Sequence, residues 1–143
     1  MELRGVIRTD RQMADGRTIH YYDSKPTKRE AEDKRPKEEQ PGIGQLRFDP
    51  LVNEWIAISA HRQNRIFLPP KELCPLCPTR GDLLTEIPES DFEVVVFDNR
   101  SPSLRPPVED YALPDYAGPE TDLAKAIGKC EVVCFTSDHG QSF

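Results

Sequence analysis

The sequence predicts an α+β domain built on an antiparallel sheet. Short runs of β-branched and aromatic residues bounded by turn residues recur along the chain: RFDPLVNEWIAIS from Arg47, FEVVVFDN from Phe92 and KCEVVCF from Lys129. Hydrophobic residues make up only 36% and charged residues 31%, with 14 prolines, against a usual apolar share of about 45 to 50 per cent. That balance implies a loop-rich fold, a surface made to meet a partner, or a segment without a core. A length of 143 residues suits one domain and is short for two.

Each element can be justified from the N-terminus onward. Residues Met1 to Tyr22 carry some apolar alternation, and in ADGRTIHYYD the pair Asp15-Gly16 is a turn between two short strands. His20, beside Tyr21 and Tyr22, reads as a surface or packing residue. Residues 24–44, SKPTKREAEDKRPKEEQPGIG, hold almost no large apolar side chains, so burial cannot offset the entropy of ordering them; a flexible charged linker is expected there. From Gln45 the text reads strand, turn, strand: Asp49-Pro50 starts the turn, and Trp55, Ala57 and Ser59 alternate with Ile56 and Ile58. A proline-boxed loop, FLPPKELCPLCPTR, follows, and then a polar connection from Thr79 to Asp91. The strand from Phe92 to about Asn99 has a valine run that suggests burial on both faces. Residues 101–120 have no period and read as a long loop. A last strand is expected over Lys129 to Phe135, before TSDHGQSF. There is no internal repeat and no glycine-rich phosphate loop of the dinucleotide or P-loop kind.

A formal net charge of −6 gives no electrostatic footprint for general nucleic-acid or membrane binding, so neither is expected as a partner and any phosphate recognition must be local. The start, MELRGVIRTDRQ, has no apolar run and is expected to be neither signal peptide nor membrane anchor. A reducing, cytoplasmic setting is then expected, in which cysteines serve metals more often than disulfides.

The chemistry-bearing stretch is Cys74-Pro-Leu-Cys77. A two-residue gap lets both sulfurs converge on one soft divalent ion about 2.3 Å from each, half of a tetrahedral zinc site. Two inert cysteines in a turn, or a redox pair, are the alternatives; a redox pair normally opens a helix, which Pro75 and Pro78 oppose. Cys130 and Cys134, four apart in a strand, would have Cα atoms about 13 Å apart and read as small buried hydrophobes. His139 follows Asp138 past a strand end, where its ring can swing toward a metal. With Cys74 and Cys77 it makes a three-ligand set, one short of closure. Arg62 and Arg65, in HRQNR, can clamp a phosphate by charge-assisted hydrogen bonds or stand solvated. Asn99 leaves the valine strand at its end, placed either to meet a ligand hydroxyl or to cap the following turn.

At these residues the sequence resembles the galactose-1-phosphate uridylyltransferase family, a branch of the histidine-triad superfamily. RFDPLVNEWIAISAHRQNR is similar to the family's opening R-x-(D/N)-P-L-x-x-x-W motif with its two arginines, CPLC to its zinc knuckle, VVFDN to its F-x-N strand, and CFTSDH to its C-F-x-x-D-H. The four stand in the family's order over roughly Leu46 to His139. ADGRTIHYYD is similar to the N-terminal extension of some bacterial members. The resemblance implies an antiparallel sheet of the histidine-triad-like type, with residues 1–23 an extension, 24–44 a linker and 45–143 the N-terminal portion of the transferase domain. It implies a zinc enzyme that moves a uridylyl group from UDP-glucose to galactose 1-phosphate through a uridylyl-histidine. Cys74, Cys77 and His139 would be zinc ligands, Arg62 and Arg65 would contact nucleotide phosphates, and Phe97 and Asn99 would line the uridine-ribose pocket.

Two departures qualify this expectation. The chain has Ser101 where the family often has an aromatic residue. It also has no H-P-H-x-Q segment, the source of the family's nucleophile and fourth zinc ligand, and none of His20, His61 or His139 stands in such a context. The expectation is therefore a first half, inactive alone, that assembles with a second polypeptide, or a shortened product; an exposed sheet edge would follow, and the resemblance allows a dimer. The rival readings are part of a related nucleotide-sugar phosphorylase or adenylyltransferase, and a non-catalytic zinc-binding interaction module. The latter would ordinarily carry a second C-x-x-C or C-x-x-H.

Overall fold

A computed structural model describes residues 2–3, 5–38, 42, 44–62, 69–107 and 122–142. Among these residues the named strands pair antiparallel throughout, in two sheets. The only helical elements among the described residues are two single 3-10 turns, Ala60–Arg62 and Lys71–Leu73. The antiparallel sheet of the sequence reading is therefore present, whereas its α component has no counterpart among these residues. The chain divides into two compact units, one of residues 1–39, 67–98 and 131–143, the other of residues 40–66 and 99–130.

The first unit holds a five-stranded sheet. Its strands are β1 (Glu2–Leu3), β2 (Val6–Gln12), β3 (Thr18–Asp23), β6 (Val94–Asp98) and β8 (Glu131–Cys134), in the order β1-β2-β3-β6-β8. The hairpin β2–β3 turns at the Asp15-Gly16 pair singled out from sequence. Gly16 adopts φ +87°, a left-handed conformation that costs a side-chain-bearing residue about 1 kcal/mol or more. Register brings Ile19 opposite Phe97 and Tyr21 opposite Val95. These four inward-facing residues, with Met13, Ile87 and Phe92, form the core, and Val132 and Cys134 pack against it. Each large side chain so buried contributes roughly 1.5 to 3 kcal/mol through lost apolar exposure. The valine strand is buried on one face only: Val95 and Phe97 are inside, while Val94 and Val96 are half-exposed. Residue type alone does not distinguish a strand covered on two faces from one covered on a single face.

Residues 24–38 are irregular but anchored, by charge rather than by apolar burial. Arg29 grips Asp23 through two hydrogen bonds, of 3.1 and 2.5 Å, donates to the Asp91 carbonyl and lies over the Tyr21 ring, 5.1 Å from its centroid. Asp33 accepts from the Ala14 amide at 2.9 Å and is paired with Arg35. A chain of charged residues looks the same in sequence whether solvated or paired, which is why a linker was the expectation.

The second unit holds a three-stranded sheet, β4 (Gln45–Asp49), β5 (Glu54–Ile58) and β7 (Leu123–Lys125), in the order β5-β4-β7. The expected strand-turn-strand is β4 and β5, with Phe48 opposite Trp55 and their rings 5.5 Å apart. Asp49 accepts from the Leu51 amide at 2.9 Å, the local bond that lets Asp-Pro open a turn, and Asn53 closes it at φ +56°. β5 is an edge strand, with Trp55 50% and Ile56 45% exposed, as expected of an uncovered sheet edge. Among the described residues no helix is long and apolar enough to cross a membrane.

Candidate metal centre

The loop carrying Cys74 and Cys77 is shaped by its prolines. The 3-10 turn Lys71–Leu73 starts after Pro70 and stops at Cys74, whose extended backbone (φ −61°, ψ 121°) is the conformation a residue preceding a proline favours. The Cys77 amide then donates to the Cys74 carbonyl at 3.3 Å, closing a tight turn with both sulfurs on it. His139 arrives from the turn after β8. Asp138 organises that turn by accepting from the Gly140 amide at 2.8 Å and from Gln141 Nε2 at 3.2 Å. The Gly140 amide holds the Asp138 carboxyl below the usual range.

These two turns, 62 residues apart in sequence, bring Cys77 Sγ to 3.2 Å from His139 Nδ1. The donor atoms of Cys74, Cys77 and His139 all lie within 4.8 Å of one another, and no other group of three His, Cys, Asp or Glu donors this tight occurs among the described residues. Tetrahedral zinc, with Zn–S about 2.3 Å and Zn–N about 2.0 to 2.1 Å, separates sulfur from nitrogen by roughly 3.6 Å. The Cys77–His139 separation lies within a few tenths of an ångström of that value, and two sulfurs with one imidazole are the donor set a soft divalent cation selects. Burial, together with the neighbouring Cys74, pushes the Cys77 thiol up, while Arg80 and Lys71 pull it the other way. Cys134 packs on the core, and burial pushes its thiol up to about 11. It behaves as the small hydrophobe its sequence context suggested.

The other predicted site residues fall elsewhere. Arg62, at the end of the 3-10 turn after β5, is exposed and donates to Ser103 Oγ at 2.6 Å. Arg65 lies outside the described residues. Asn99 Oδ1 accepts from the Ser101 amide at 2.9 Å, so its side chain caps the following turn. Phe97 belongs to the first unit, where it is 1% exposed in the core with Arg17 6.0 Å from its ring centroid. Arg62 and Asn99 belong to the second. His20 is paired with Asp10, Nδ1 to Oδ1 at 2.8 Å.

Sequence reasoning did not single out Thr85 and Glu86, which lie in the polar connection after the cysteines. Thr85 Oγ1 donates to the Cys77 carbonyl at 2.6 Å, and the Glu86 amide donates to the Pro75 carbonyl at 2.9 Å. No motif spacing marks them, because the contact is tertiary.

Comparison with known proteins places these features in context. Residues 33–143 match the model of the galactose-1-phosphate uridyl transferase N-terminal domain family. Over 138 residues the chain is 40% identical to the galactose-1-phosphate uridylyltransferase of Streptomyces lividans, covering 95% of this chain and 33% of that protein. The enzyme of the same name from Thermotoga maritima is 41% identical over 98 residues, covering 66% and 28%, and that of Rattus norvegicus 31% over 102 residues, covering 63% and 26%. The chain thus spans about a third or less of the length of these relatives. No solved structure matches it.

Proposed function

Given that this chain belongs to the galactose-1-phosphate uridylyltransferase family, and carries that enzyme's N-terminal domain, we propose that it contributes to transfer of a uridylyl group from UDP-glucose to galactose 1-phosphate. The observation that carries the site assignment is the meeting of Cys74, Cys77 and His139, with 3.2 Å between Cys77 Sγ and His139 Nδ1. These three residues would hold a zinc ion, and the ion, when bound, would tie the cysteine turn to the end of β8 in a structural role. A fourth ligand and the histidine that becomes uridylylated would come from outside this sequence, supplied by further polypeptide.

Arg62 and Arg65 would meet nucleotide phosphates. The bond from Arg62 to Ser103 fixes the guanidinium before a phosphate arrives, which favours binding by lowering the ordering cost. Phe97 and Asn99 would serve the uridine-ribose pocket: Phe97 from beneath as packing for the strand, and Asn99 by trading its local cap for a ribose hydroxyl. Residues 1–23 would be an N-terminal extension and residues 24–44 its connection to the transferase domain at 45–143, which would belong to an α+β, histidine-triad-like whole. A cytoplasmic location suits the reduced thiols.

The experiment is metal analysis of the purified chain with titration of UDP-glucose followed by NMR. One equivalent of zinc, lost in His139→Ala, together with UDP-glucose-induced shifts at Arg62 and Asn99, is the expected result. Nucleotide-independent spectra and a metal-free chain that takes up no added zinc would overturn the reading.

A further inference from the structure

We infer that the β2–β3 hairpin and the arm that follows it, residues 24–38, form the outer support of the metal centre, acting on the cysteine turn through Thr85 and Glu86 as positioning residues. This rests on the metal reading above. Residues 85–87 are zipped against residues 75–79. The Glu86 amide donates to the Pro75 carbonyl at 2.9 Å, Thr85 Oγ1 to the Cys77 carbonyl at 2.6 Å, the Thr79 amide to the Ile87 carbonyl at 2.9 Å, and the Thr85 amide to Thr79 Oγ1 at 3.1 Å. Pro78 and Ile87 add a parallel bridge. The carbonyls of two residues in the C-x-x-C turn are thus fixed by one short segment, and Thr85, 3% exposed, is the side chain in contact with it.

That segment is itself held from the opposite side by the N-terminal residues. The Glu86 carboxylate is shared between two guanidiniums: Arg17 Nη2 at 2.5 Å on Oε2 and Arg35 Nη1 at 2.9 Å on Oε1. Arg17, from the β2–β3 hairpin, also donates to the Asp98 carbonyl at 2.7 Å and pairs with Asp15; Arg35, from the arm, pairs with Asp33, which in turn accepts from the Ala14 amide. All members are largely buried, the most exposed being Arg35 at 15%. A carboxylate gripped at both oxygens cannot rotate, so the backbone of residues 85–87, and with it the sulfur spacing, is set by residues some 50 to 70 positions upstream. Ligands held in place in advance spend less free energy on ordering when the ion arrives.

The test uses the whole chain with zinc alone, in competition with a chromophoric chelator, and cobalt(II) as a spectroscopic probe. A wild-type chain that takes up neither metal overturns the metal reading, and the support role with it. Where the wild type binds, Thr85→Val, which keeps the side-chain shape and loses the hydroxyl, is expected to weaken zinc binding about 10- to 100-fold, and Thr85→Ser to recover most of it. Arg35→Met, which touches the site only through Glu86, is expected to weaken binding about three- to tenfold and to broaden the cobalt–thiolate bands. Either Thr85→Val or Arg35→Met, folded by circular dichroism yet binding zinc as the wild type does, overturns the inference. Should Thr85→Val fail to fold, Arg35→Met alone decides.

Discussion

Replacing Glu86 by alanine is expected to cost the first unit about 3 kcal/mol. Removing one partner of a buried ionic network typically costs about 3 to 5 kcal/mol, because it strands the remaining charge. Here the lower end applies, since neither arginine is left alone: Arg17, only 3% exposed, keeps Asp15 and the Asp98 carbonyl, and Arg35 keeps Asp33 and some solvent. With a urea dependence of about 1 to 3 kcal/mol per molar for a small domain, the unfolding midpoint should fall by roughly 1 to 3 M. The assay is urea unfolding of the metal-free chain followed by far-ultraviolet circular dichroism, with Glu86→Gln as comparator. The amide keeps the shape and one acceptor, so its loss should be intermediate. A Glu86→Ala midpoint shifted by no more than a surface substitution produces, under about 0.5 kcal/mol, would refute the claim that this carboxylate holds the two arginines together.

Four further outcomes follow from the same structure. Cys77→Ser should abolish the cobalt–thiolate absorption pattern of the wild type and lower zinc affinity at least about 100-fold; an unchanged spectrum would remove Cys77 from the site. Gly44→Ala should destabilise the second unit, because a Cβ there would sit 2.9 Å from the Ile58 carbonyl oxygen and 3.0 Å from Ser59 Oγ; Trp55 fluorescence during unfolding reads this out, and a wild-type midpoint would contradict it. Phe97→Ala should cost about 3 to 5 kcal/mol through the cavity left in the core, whereas Phe97→Leu should cost under about 1.5 kcal/mol; equal losses would argue for a role of the ring beyond packing. Burial raises the Asp15 and Asp33 carboxyls, but the bonds from Arg17 and Arg35 outweigh it and leave both below their ordinary value. A carboxyl held below its ordinary value contributes stability that is complete above the unfolded value of about 3.9 and is lost as pH falls on through the lower folded value, so thermal stability should hold above about pH 5 and decline below about pH 4. A melting temperature that stays flat down to pH 2.5 would contradict the assignment.

What could be read in advance depended on the range of the interaction responsible. The Asp15-Gly16 and Asp49-Pro50 turns and strands β4, β5, β6 and β8 have local causes, namely turn chemistry and β-branched runs, and they emerge where expected. β7 is three residues, Leu-Ala-Lys, too short for any alternation, and exists because β4 offers it an edge. The convergence of Cys74, Cys77 and His139 was expected from motif order, and their closeness in space bears on it directly. Thr85, Glu86 and the grip on residues 24–38 were invisible because a charged or hydroxylated side chain carries no sequence mark of the partner it will find.

The two units are interleaved along the polypeptide: the five-stranded sheet draws its strands from the beginning, the middle and the end of the chain, while the second unit occupies the intervals. No single cleavage can separate them, so a fragment ending before Glu131 lacks β8 and leaves β6 as a bare edge. During synthesis the N-terminal hairpin must wait for β6, more than 70 residues later, before it has a sheet to join. Such long-range pairing is slow and exposes sticky strands meanwhile. The hairpin's charged turn and the arm that follows it are then the solubilising companions of a nascent sheet, keeping its first strands in water until their partners have been made.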